Sequence, residues 1–326
     1  MKSVEIVINT EGGKLENMSK LLVQSLRTFG GDLKDLPIYS YQPRKANSIS
    51  EETRSFFAQN NVEHFDIELN KNYLDYPLAN KPLACAYHEN RSKADVIIFL
   101  DSDMLFLREP KRFLEVEPGE VFLTPVVQKN IGVEDLDGKN ALYWHSIYKE
   151  LGVEGFRFVR TAYQNTRILE YYNTGHIISH RSNGLYSAWL ENFEKIKRQK
   201  IIPLQGHYFI EQSVFAATVA QLSLKVTSPG KEYNVPAKYA FDLKNPDHFI
   251  SSLTEVVSLH YHKLFHNPLR INPLRKEIAK CKNGQFLNQM LDESKVITRQ
   301  PVGKYLYKIY NLELNKFKQR LKSNKI

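Results

Sequence analysis

Cysteine is almost absent from this sequence: the 326 residues contain two, Cys85 and Cys281. They lie far apart in sequence, form no metal-type spacing, and read as buried or free thiols in a reducing compartment. Long apolar runs are missing as well, and none is long enough to span a bilayer. Residues Met1 to Ile8 enter strand-like alternation without the apolar core of a signal peptide, so a cytosolic protein is expected. There is no repeat and no low-complexity tract, and no nucleic-acid module is recognisable. The first loop, Asn9-Thr10-Glu11-Gly12-Gly13, lacks the glycine spacing of a dinucleotide or P-loop site.

What remains is a globular composition, 42% hydrophobic, on a chain long enough to bury a large core. One α/β domain over residues 1–270 with a basic helical extension over 271–326 is expected. The formal charge of +9 favours acidic partners such as nucleotide phosphates, anionic lipid surfaces, acidic glycans or nucleic acid.

The most informative stretch is Val96-Ile97-Ile98-Phe99-Leu100 followed by Asp101-Ser102-Asp103. A β-branched apolar run of this kind reads as a strand buried on both faces inside a parallel sheet. Ligands of open α/β sheets gather beyond the carboxyl ends of strands, where the two acids fall. In extended backbone, residues two apart face the same way, so both carboxylates can address one cation. An EF-hand would need more oxygen ligands and a glycine after the second acid, but Met104 and Leu105 follow. The Gly-Thr turn that usually follows a phosphatase nucleophile is absent too.

Around this strand the pattern alternates between strand and helix. Strands are expected at Val4–Ile8, Leu36–Tyr41, Val62–Ile67 and Val121–Thr124, with helices at Met18–Phe29 and at Ser50–Gln59 behind an N-cap serine. Asn80 to His88 begins as a loop and becomes a helix, with Lys81 at its entrance placed to meet an anion. The aromatic stretch from Tyr143 to Arg160 suits either sugar contact or packing of a helical excursion. Asn173-Thr174-Gly175 reads as a turn into an apolar run, with Asn173 able to donate and accept and Gly175 admitting a ligand close to the backbone. Helices follow at Asn183–Arg198 and after Gly206, and a late apolar strand ends in His260, His262 and His266.

Phe99-Leu100-Asp101-Ser102-Asp103-Met104 resembles the Asp-x-Asp metal motif of GT-A-fold glycosyltransferases. Its surroundings are most similar to the retaining group that includes glycogenin and bacterial lipooligosaccharide galactosyltransferases. The resemblance spans residues 1–268 in motif order, although only the acidic segment is specific by itself. It implies a Rossmann-like, mixed but mostly parallel sheet with flanking helices. It further implies a cation held by Asp101, Asp103 and His260, with His262 in reserve. Mn²⁺ is the first choice over Mg²⁺, which prefers all-oxygen surroundings.

On this reading Thr10, Lys81 and Ser102 contact a nucleotide-sugar donor, expected to be UDP-linked. Lys263 or His266 substitutes for the family's late diphosphate contact, because His266-Asn267-Pro268 stands where a Gly-Lys-Pro run is common. Asn173, Glu211 and Gln212 surround the transferred sugar, with Glu211 replacing the more frequent Asp. A glycan or lipid-linked hydroxyl is the expected acceptor and nucleic acid is not an expected partner. The basic, tyrosine-bearing segment 304–322 suits either an anionic membrane surface or a solvated helix. A sugar nucleotidyltransferase is the first alternative, but such enzymes usually carry a glycine-rich basic loop after the first strand. A non-catalytic basic binding protein is the second.

Overall fold

The computed structural model describes residues 2–237, 253–262, 268–281 and 283–297. Strand β1 (Val4–Asn9) passes through a polar loop into α1 (Lys14–Phe29), followed by β2 (Ile38–Gln42), α2 (Glu51–Gln59) and β3 (Val62–Asp66). Helix α1 begins at Lys14 rather than Met18 because Glu16 reaches back to accept the Gly13 amide at 2.8 Å, closing an earlier first turn. Helix α2 starts behind Ser50, whose hydroxyl accepts the Thr53 amide at 3.3 Å. Next come α3 (Asn80–Glu89), β4 (Val96–Leu100), β5 (Met104–Phe106) and β6 (Glu120–Pro125). An excursion of α4 (Ala141–Leu151), β7 (Phe158–Arg160) and β8 (Arg167–Leu169) leads into β9 (Tyr172–His180). Helices α5 (Leu185–Arg198) and α6 (Ile210–Gln221) then precede β10 (Lys225–Thr227), β11 (Val235–Pro236) and β12 (Ser258–His260).

The main sheet runs β10-β6-β9-β4-β1-β2-β3. Strands β1, β2, β3 and β4 are parallel neighbours, as are β6 and β10, whereas β9 runs antiparallel between β4 and β6. The sheet is therefore mixed and mostly parallel, but β4 is not enclosed by parallel partners on both sides as its apolar run suggested. Its five residues are all buried, and alternation divides them. Ile97 and Phe99 pack with side chains of α3, α4, α5 and α6, while Val96, Ile98 and Leu100 pack with those of α1 and α2. Each such side chain contributes about 1.5–3 kcal/mol on burial. The excursion's aromatics belong to this core: Trp144 and Tyr148 are buried, and the Trp144 indole donates to the Ile131 carbonyl at 2.8 Å.

Topology then positions the site. The chain steps outward from β1 through β2 to β3 and returns to β4 on the other side of β1. That reversal opens a crevice beyond the carboxyl ends of β1 and β4. The register pairing Ile8 with Leu100 brings Asn9 and Asp101 out side by side. A small sheet, β11-β12-β5, sets His260 opposite Met104, one residue past Asp103.

The chain divides into two compact units, Met1–His262 and Lys263–Ile326. The second contains α7 (Pro268–Ile278), with proline at its first position, and α8 (Gly284–Glu293). The boundary expected at 270/271 falls inside α7, which continues through Asn272 and Pro273. Lys263, His266 and the segment 304–322 lie outside the described residues. Among the described residues, no helix is long and apolar enough to cross a membrane.

Candidate active site

Beyond Leu100 the chain turns tightly. The Met104 amide donates to the Asp101 carbonyl at 3.2 Å, and the Asp101 amide donates to the Gly175 carbonyl at 2.8 Å. The Ser102 hydroxyl latches this turn to β1 by donating to the Asn9 carbonyl at 2.7 Å, so its hydrogen is not free for a donor ligand. The two acids converge through the turn, and not through the extended facing expected of them. His260 arrives from β12 with Nε2 3.0 Å from Asp103 Oδ1 and 4.0 Å from Asp101 Oδ2. One ligand atom from each of the three lies within 4.8 Å of the others. Two carboxylates and one imidazole form a donor set that suits a first-row divalent cation.

Without a cation, these groups and Lys81 set one another's charge. Burial works against the Asp103 charge, but the adjacent His260 and its hydrogen bond hold the acid well below the usual range. Burial likewise lowers the His260 pKa, and Asp103 reverses the effect and raises it. Burial raises Asp101 against the opposing pull of Lys81.

Lys81 sits on the first turn of α3, which is already helical at Asn80 rather than beginning as a loop. Its ammonium donates to Asp101 Oδ2 at 2.8 Å and to the Thr174 hydroxyl at 3.3 Å, and lies 3.8 Å from Glu211 Oε1. Burial would lower its pKa, and these carboxylates raise it instead. Burial pushes Glu211 up to about 7 against the pull of Lys81. Its Oε2 is buried without a hydrogen-bond partner. The start of α6 that carries Glu211 and Gln212 is fixed from two sides: the Trp189 indole donates to the Glu211 carbonyl (2.9 Å), and the Glu211 amide donates to the Tyr76 hydroxyl (3.1 Å).

Asn173-Thr174-Gly175 lies within β9 and not in a turn before it. Asn173 Oδ1 accepts from the Gly175 amide at 2.8 Å and from Asn234 Nδ2 at 3.0 Å. A Cβ on Gly175 would come within 2.5 Å of His260 Cε1, so this glycine admits the imidazole and not, as expected, a ligand. His262 has a φ of 47° and is not extended, so it does not share the facing of His260. Its ring stacks on His260 at 3.8 Å between centroids, and it is outside the ligand cluster.

Thr10 is a further correction. It is fully buried, and its hydroxyl donates to Ser19 at 2.8 Å, away from the crevice. Asn9 beside it has an amide whose nitrogen and oxygen are both buried without partners. Period-two alternation puts Asn9 on the Val7 face, towards α3, a signal that could have favoured it over Thr10. Glu11 is also buried. It pairs with Arg44 and accepts from Asn80 Nδ2 at 2.9 Å, bracing the first loop against the start of α3.

Residues 6–223 match the family model of the Rhodobacterales glycosyltransferase domain. The chain belongs to this glycosyltransferase family. No curated protein matches it. Similar solved structures include the WbbM bifunctional glycosyltransferase in its apo form, at 13% identity and a TM-score of 0.52, covering 89% of this chain and 52% of that one. The chain thus spans about half the length of WbbM. The galactosyltransferase LgtC in complex with donor and acceptor sugar analogues matches at 14% identity and a TM-score of 0.51, covering 91% of this chain and 97% of that one. An active-site mutant of LgtC matches to the same extent. These likenesses establish the fold of this glycosyltransferase domain as GT-A: an α/β Rossmann-like sheet with flanking helices and a helical extension.

Proposed function

We propose that this family member is a metal-dependent hexosyltransferase. It moves a sugar from a UDP-linked donor to a hydroxyl of a glycan or glycolipid with retention of anomeric configuration. The reading rests on one observation: Asp101, Asp103 and His260 converge at the mouth of the switch-point crevice. These three residues would hold Mn²⁺, with Mg²⁺ as the weaker fit, and a cation there supplies Lewis-acid charge to a departing diphosphate. That LgtC is a galactosyltransferase seen with sugar analogues supports a hexosyl donor and a sugar acceptor.

The chain's own residues divide the remaining work. Lys81 offers a second positive charge to the same diphosphate. Asn9 has an unpartnered donor and acceptor for the nucleoside, which Thr10 cannot supply. Asn173, whose Oδ1 is already committed, presents Nδ2 to a sugar hydroxyl. Glu211 and Gln212 flank the sugar from α6, and the unpartnered Glu211 Oε2 can meet a hydroxyl. A cavity of about 250 Å³ opens beside Asn173 and His260, walled by Tyr163, Lys231 and Tyr233. It is smaller than the roughly 300–1,000 Å³ of a drug-sized cleft and suits an acceptor sugar ring.

Calorimetric titration with UDP tests the proposal. Binding is expected with Mn²⁺ and not without it, and Asp103→Ala should abolish both this binding and turnover of UDP-sugars while leaving the circular dichroism unchanged. Equal UDP affinity with and without metal in the wild type would refute it.

A further inference from the structure

We infer that Asn234 is a positioning residue that sets the tautomer of His260 and thereby its competence as a metal ligand. The inference rests on the reading of His260 as a ligand, and its physical basis is a chain of hydrogen bonds with only one consistent direction. The Gly175 backbone N–H can only donate, and it points at Asn173 Oδ1 at 2.8 Å. That oxygen also meets Asn234 Nδ2 at 3.0 Å. Turning the Asn234 amide over would set two carbonyl oxygens against each other, so its nitrogen must face Asn173. Asn234 Oδ1 therefore faces His260, 2.9 Å from Nδ1. An acceptor there requires Nδ1 to carry a hydrogen, which leaves Nε2 as the ring's lone pair towards Asp103 and Asp101 once a cation takes the place of a proton.

Two further features hold Asn234 in place. Its backbone lies in the left-handed region at φ 54°, which asparagine tolerates better than most residues, and its amide donates to the Ser258 hydroxyl at 2.9 Å. It immediately precedes β11, which pairs with the ligand's own strand β12. Histidines that bind metals almost always donate their second N–H to such a partner, and removing the partner typically costs about ten- to a hundredfold in metal affinity.

Direct Mn²⁺ titration, followed by the electron paramagnetic resonance of the free ion, separates the outcomes. Asn234→Gly keeps the backbone conformation and deletes the acceptor, so Mn²⁺ affinity should fall by about ten- to a hundredfold. Asn234→Asp keeps an acceptor for Nδ1–H but sets an oxygen against Asn173 Oδ1, so its affinity should fall between those of the wild type and Asn234→Gly. In ¹⁵N spectra of the metal-free protein, a His260 Nδ1–H resonance protected from exchange should be present in the wild type and lost in Asn234→Gly. Wild-type Mn²⁺ affinity in Asn234→Gly, alongside weakened binding in His260→Ala, would overturn the inference and leave the ligand assignment standing. Unchanged binding in His260→Ala would remove the histidine from the ligand set and the inference with it.

Discussion

The acids at 101 and 103 and the histidine at 260 were legible because each follows an apolar strand, the place where an α/β sheet presents its ligands. Asn234 was not legible. Its role exists only once β11 and β12 pair, and nothing in Gly230 to Pro236 marks that pairing in one dimension. The sequence singles out Thr10 and gives Asn9 no separate role, because adjacent polar residues after a strand look equivalent until their faces are known. Glu211 gives a test at this scale. Its pKa is raised to about 7 from an ordinary 4.5, so the folded state holds this proton more tightly than the unfolded chain. The stability associated with the neutral acid is fully present below 4.5 and is lost as pH rises through about 7, by about 3 kcal/mol on that shift. Glu211→Gln stays neutral throughout. It should match the wild type near about pH 5 and melt higher near about pH 8, while losing transferase turnover. Calorimetric scans at the two pH values check this; a melting difference independent of pH would contradict the burial of an ionisable group there.

Secondary structure was legible where alternation or helical spacing runs long, as in β1, β4, α2 and α5. The direction of β9 was not, because Ile177-Ile178 suits a parallel or an antiparallel neighbour equally. The sequence presents Asn173-Thr174-Gly175 as a turn into an apolar run, by likeness to a family segment or as a simple turn between strands. Here they lie in a strand whose glycine makes room for a ring on another element. Helices α1 and α2 share a junction that the sequence also concealed. The Glu16 carboxylate accepts from the Gly13 and Ser50 amides, each at 2.8 Å, and from the Thr53 hydroxyl at 2.6 Å. Burial opposes its charge, but these bonds depress its pKa to about 2. The stability they bring is present above the ordinary 4.5 and lost as pH falls towards 2. Glu16→Ala should therefore cost about 1–3 kcal/mol in urea unfolding at neutral pH, with the gap narrowing in acid. A gap that does not narrow would mean that helix propensity, and not the carboxylate, sets the loss.

At the scale of the molecule, the fold class was legible, and the boundary expected at 270/271 falls within α7, a helix that runs on through Pro273. The ligand cluster joins residues more than 150 positions apart, as the 157-residue separation of Asp103 and His260 shows. A ligand bound there at a hundred times its dissociation constant adds about 2.7 kcal/mol to the folded state. Mn²⁺ and UDP together should therefore raise the melting temperature by several degrees. Each alone should do less, and Asp103→Ala should show no rise. A nucleotide-induced rise that persists in that variant would point to binding elsewhere on the basic surface.

Because β9 runs against its neighbours, Asn173 to Gly175 reach the crevice from the leading end of a strand pinned on both sides. Everything between residues 126 and 171 is strung upstream of that anchorage, and Val127, Ala162 and Tyr163 form cavity wall from there. Within that span Trp144 and Tyr148 are held in the core, and the exposed loop at residues 135–139 is where length can change without shifting the start of β9. The strand's own pairing, and not the exposed loops before it, sets where Asn173 to Gly175 stand.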